Sequence, residues 1–84
     1  MSDDILARYN KKTNLKPSEV VERAVKFFGD GGLGLKIVEE TQEMICFEGG
    51  GGHVTITTCP NSETDVDLET MEWDYQIKEF MGKI

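Results

Sequence analysis

The sequence predicts an α+β fold in which two amphipathic helices cover one face of a four-stranded antiparallel meander. Three observations lead there. Residues 17–28 carry an apolar stripe at helical spacing, four runs between residues 35 and 69 alternate with period two, and a second helical stripe runs from Trp73 to Ile84. The predicted element order is α-β-β-β-β-α, with the strands side by side in the order 1-2-3-4.

The first helix is marked at both ends. Pro17 suits a first turn, where its missing N–H costs nothing, and Glu19 lies near the positive end of the helix dipole. At 100° per residue Val20, Val21, Ala24, Val25, Phe27 and Phe28 fill one arc, and Glu19, Glu22, Arg23 and Lys26 fill the other. Gly29 reads as a left-handed C-cap. In the second helix Trp73, Ile77, Phe80, Met81 and Ile84 share a narrow apolar arc, Tyr75 points away from it, and Thr70 is a candidate cap.

Each strand run has one apolar side. Leu35 and Ile37 alternate with Lys36 and Val38, and Ile45 and Phe47 with Met44, Cys46 and Glu48. Val54 and Ile56 alternate with His53, Thr55 and Thr57, and Val66 and Leu68 with Asp65, Asp67 and Glu69. This pattern belongs to antiparallel strands covered on one face only. Gly49-Gly50-Gly51-Gly52 offers the positive φ angles of a tight hairpin, and Pro60-Asn61 opens a looser turn. Matching apolar residues sets a register: Phe47 faces Val54, and Ile45 faces Ile56. Ile56 then faces Val66, Val54 faces Leu68, and Leu35 and Ile37 meet Phe47 and Ile45. A slip of one residue would turn a strand inside out.

Residues 1–16 are the least patterned. Ser2-Asp3-Asp4 can cap a short helix carrying Ile5, Leu6 and Tyr9, with Asn10–Asn14 as a polar turn; a short strand through Ile5–Tyr9 is the alternative. They are expected to form a loosely attached extra element on a single domain spanning residues 1–84.

Composition bounds function. With 38% hydrophobic and 30% charged residues, the chain is neither disordered nor membrane-like. Sixteen acidic and nine basic side chains give a net charge of −7, which repels phosphate backbones and anionic lipid. Neither nucleic acid nor membrane is therefore an expected partner. The start of the chain lacks a basic segment followed by an apolar one, so no signal peptide is expected and the expected location is the cytoplasm.

The glycine clusters do not have the context of a phosphate loop. Gly29–Gly34 follows a helix and precedes a strand, the reverse of what an anion at a helix N-terminus needs, and Gly49–Gly52 lies between strands. No cofactor is expected. In the register above Cys46 lies opposite Thr55 and Cys59 opposite Gln42, roughly 13 Å apart along the ladder. Such a separation excludes both a disulfide and a shared zinc ion.

The most informative surface is the outward face of the last three strands. It gathers Glu48, His53, Asp65, Asp67 and Glu69, with His53 between Glu48 and Glu69, Thr55 beside Asp67, and Thr57 beside Asp65. No residue there is assigned to catalysis and no metal is named. The expected function is a small non-catalytic domain acting through protein–protein interaction. One alternative is a module that binds a small molecule or a divalent cation. The other is an enzyme using His53 as base with a carboxylate to orient it; an open sheet face that cannot exclude water disfavours that chemistry.

Overall fold

The computed structural model describes residues 6–84. Five strands and two helices follow in the order β1 (Ala7–Thr13), α1 (Pro17–Phe28), β2 (Lys36–Glu40), β3 (Met44–Gly49), β4 (Gly52–Pro60), β5 (Thr64–Met71) and α2 (Asp74–Met81). All strand pairs are antiparallel, and the sheet order is β1-β5-β4-β3-β2. The meander is present as β2 to β5. The strand count is corrected from four to five, because β1 is added beside β5.

β1 runs through the segment that reads as a polar turn. Its burial alternates: Ala7, Tyr9 and Lys11 are half-buried and Thr13 buried, while Arg8, Asn10 and Lys12 are exposed. The inward side chains serve α2. Tyr9 Oη donates to Asp74 Oδ2 (3.2 Å), Lys11 Nζ donates to the Met81 carbonyl, and Thr13 Oγ1 donates to the Ile84 carbonyl (2.7 Å). The last carbonyls of a helix have no partner within it, so Lys11 supplies one that α2 lacks at its C-terminal end, while Tyr9 holds its first residue and Thr13 the segment that follows it. The capping role expected for residues 2–4 and the position of Ile5 lie outside the described residues.

α1 and α2 cover one face of the sheet. Val20, Val21, Ala24 and Phe28 of α1 and Ile77 and Phe80 of α2 bury against Ile45, Phe47, Val54, Ile56, Val66 and Leu68. Phe28 is central, with its ring 5.5 Å from that of Phe47 and 5.4 Å from that of Phe80. Gly29 ends α1 at φ −82°, so the expected left-handed cap is corrected. A side chain there would meet the Val25 carbonyl, and that close approach is what the glycine serves.

The β3–β4 register is the expected one: Ile45 faces Ile56, Phe47 faces Val54, and Cys46 faces Thr55. The β4–β5 register is offset from expectation by two residues, with Ile56 opposite Leu68, Thr58 opposite Val66 and Val54 opposite Thr70. Pairing apolar with apolar fails because three threonines occupy the inner face. Thr58, Thr64 and Thr70 are buried, and their hydroxyls donate to the carbonyls of Glu43 (2.8 Å), Leu15 (2.6 Å) and His53 (2.8 Å). Once hydrogen-bonded to a carbonyl, a hydroxyl sits in a core at little cost. Thr70 is thus a buried strand residue rather than a helix cap, and Trp73 is the residue before α2, donating from Nε1 to the Gly49 carbonyl (3.0 Å).

β2 is also shifted. Ile37 lies opposite Phe47 and Glu40 opposite Ile45, with an irregularity between Ile37 and Glu39. α1 packs over β3 and β4, so β2 projects beyond its cover. Leu35 is buried, but Ile37 is 37% exposed, which corrects its assignment to the core.

The four glycines make the β3–β4 turn. Gly49 faces Gly52 in register, leaving Gly50 (φ 59°) and Gly51 (φ 81°) as a two-residue loop. Gly51 has open space around it, so Gly51→Ala isolates the backbone effect. It should lower stability by about 1–2 kcal/mol in a denaturant titration. Gly50→Ala should cost more, since the new methyl would lie 2.7 Å from Trp73 Cζ2.

Candidate functional site

With both helices on one side, the other face of the sheet is uncovered. It presents Arg8, Asn10 and Lys12 from β1, Asp65, Asp67 and Glu69 from β5, His53, Thr55 and Thr57 from β4, and Cys46 and Glu48 from β3. All five candidate site residues therefore share this face.

The local pairing differs from expectation. Glu48 is directly opposite His53, as expected. On the other side the residue opposite His53 is Met71; Glu69 is reached diagonally, with Nε2 3.4 Å from Oε2. Thr55 faces Glu69 and Thr57 faces Asp67, each displaced by the two-residue offset of β5.

The acidic row has neighbours that the sequence reading missed. In register Arg8 faces Glu69, Asn10 faces Asp67, and Lys12 faces Asp65. Arg8 Nη2 lies 2.9 Å from Glu69 Oε1, and the Asn10 amide donates to Asp65 Oδ1 (2.7 Å) and Asp67 Oδ1 (2.8 Å). Glu69 therefore has Arg8 at one oxygen and His53 near the other. A sequence signal existed: Arg8, Asn10 and Lys12 repeat at the same period of two as Asp65, Asp67 and Glu69, in the order an antiparallel partner needs. The Arg8–Glu69 pair is at the surface, and Arg8→Ala should lower stability by less than about 1 kcal/mol, a difference that shrinks further in high salt. Melting curves at two ionic strengths test this.

The thiols do not add chemistry to this face. Cys46 is half-buried with Sγ 3.3 Å from Thr55 Oγ1, Cys59 is exposed, and both are free. Among the described residues no group of three or more His, Cys, Asp or Glu side chains is arranged to hold a metal ion, and no helix is long and apolar enough to cross a membrane. Between β1, β5 and β4 there is a depression of about 250 Å³, lined by Arg8, Thr55, Thr57, Asp67 and Glu69 among others.

A second feature lies at the edge of the sheet. Every residue of β2 is exposed, including Ile37 (37%) and Val38 (45%), and Leu33 on the approach to it is 42% exposed. Two clefts flank this strand along α1. One, of about 550 Å³, lies between Val25, Lys26 and Asp30 on one side and Leu35, Lys36 and Ile37 on the other. The second, of about 580 Å³, lies between Val21, Glu22, Val25 and Lys26 and the segment Glu40–Gln42. Sequence reasoning placed Ile37 in the core and so missed this edge. Its legible signal was a run with apolar residues at both Ile37 and Val38, a break in the alternation.

The chain matches no protein-family model, no curated protein and no solved structure.

Proposed function

We propose that this protein is a non-catalytic interaction module that binds an extended polypeptide segment along the free edge of β2, with side chains of that segment resting in the clefts beside α1. The observation that carries this reading is the exposure of Ile37 and Val38 on an edge strand that α1 leaves uncovered. An edge strand presents unpaired N–H and C=O groups on its outer side, and an added strand satisfies them while alternate side chains enter flanking pockets. Isolated exposed aliphatic residues are ordinary, whereas two adjacent ones on a free edge, beside two clefts, form a surface that loses apolar area on docking.

The open sheet face supports this reading by contrast. Its row Asp65, Asp67 and Glu69 faces Lys12, Asn10 and Arg8 across the ladder, and Asn10 and Arg8 already occupy oxygens of all three carboxylates. The edge of β2 has no such partner strand.

Selection of short random peptides on the immobilised protein tests the proposal. Bound peptides should show alternating apolar residues and should slow amide exchange in β2. Val38→Asp should abolish their binding while leaving the fold intact, since Val38 is exposed. Peptides that protect amides of β4 and β5 instead, or that bind Val38→Asp unchanged, would sink the reading.

A further inference from the structure

Building on the edge reading above, we propose that the segment completing β2 is the β2 of a second copy, joined about a two-fold axis into one continuous sheet with five strands from each chain. The argument begins at the irregularity in β2. Lys36 pairs with Glu48 and Glu39 pairs with Cys46, both on the uncovered face. In a regular strand residues three apart point to opposite faces; the bulge at Val38 brings these two to the same one.

That placement makes the edge self-complementary. Two copies of β2 laid antiparallel, with the axis between Ile37 and Val38, set Lys36 of each opposite Glu39 of the other. The same register sets Ile37 against Val38 of the second copy. The seam then has an apolar centre flanked by two Lys–Glu pairs, and each contact occurs twice, as a two-fold interface requires. The axis also exchanges the ends of the strand.

Charges on an edge strand normally repel indiscriminate pairing. Here the charge pattern admits a strand with the reverse order and disfavours others, which is how complementary pairs give specificity. The opposite edge lacks this property. Antiparallel self-pairing of β1 about Asn10 would set Arg8 against Lys12 of the other copy, a like-charge contact.

Sedimentation equilibrium over a range of concentrations, up to millimolar, tests the proposal. The native chain should show a doubled mass. Lys36→Glu and Glu39→Lys should each weaken the dimer roughly tenfold or more, because each sets like charges opposite one another. An equimolar mixture of the two variants should dimerise again, since each then supplies the charge that the other lacks. The chain carrying both substitutions should dimerise alone. Circular dichroism checks that the variants are folded, and Lys36→Gln and Glu39→Gln give weaker effects of the same sign should a reversal disturb the strand. A native chain that stays monomeric overturns the proposal, as does a dimer that neither single variant weakens. A monomer whose β2 is still protected by selected peptides removes the second copy and leaves the edge reading standing. If no peptide docks on β2 either, both readings fall.

Discussion

Phe47→Ala is expected to destabilise the fold by about 3–5 kcal/mol. Phe47 has no solvent exposure, sits in the middle of β3 and faces Val54 across the β3–β4 ladder. Its ring also packs against Phe28 of α1, which in turn contacts Phe80 of α2. Truncation removes the apolar area of the ring and leaves a cavity under both helices that a close-packed core cannot refill. Small proteins have total stabilities of about 5–15 kcal/mol, so the variant should be largely unfolded at moderate urea concentrations where the native chain remains folded. Chemical denaturation followed by tryptophan fluorescence reads this directly, because Trp73 packs against the same core. A loss below about 1 kcal/mol would mean that β3 does not present this side chain to the helices.

The same residue shows why much of the fold was legible in the sequence. Phe47, Ile45, Val54 and Ile56 alternate cleanly, and the glycine run between them fixes the turn, so their register follows from parity and loop length together. Elsewhere those cues were weaker. β5 was displaced by two residues because inward threonines count as polar in a sequence and as core once their hydroxyls find carbonyls. Parity survived that displacement, so the five site residues kept their common face while their cross-strand partners changed. At β2 the bulge broke the alternation, and periodicity alone could not show that α1 stops short of this strand. The candidate acidic surface was found, but the residues that match its charge were hidden in β1.

Deleting residues 1–13 should have an effect of the same order as Phe47→Ala or larger, leaving a chain without cooperative unfolding. β1 looks dispensable from composition: Asn10, Lys11, Lys12 and Asn14 read as a solvated turn. In the fold it pairs with β5 over seven residues, from Ala7 opposite Thr70 to Thr13 opposite Thr64. Removing it opens that ladder and turns β5 from an interior strand into an edge. It also withdraws Tyr9, Lys11 and Thr13, whose bonds to Asp74, Met81 and Ile84 hold α2 at both ends. α2 is only eight residues long, and a helix this short is not stable by propensity alone, so its hold on Ile77 and Phe80 depends on these tethers. Without β1, α2 should detach, exposing the core beneath it. Far-ultraviolet circular dichroism of the truncated chain should show reduced helix and a broad, weakly cooperative melt. A sharp transition within a few degrees of the native one would instead show that the segment is loosely attached and that α2 docks without it.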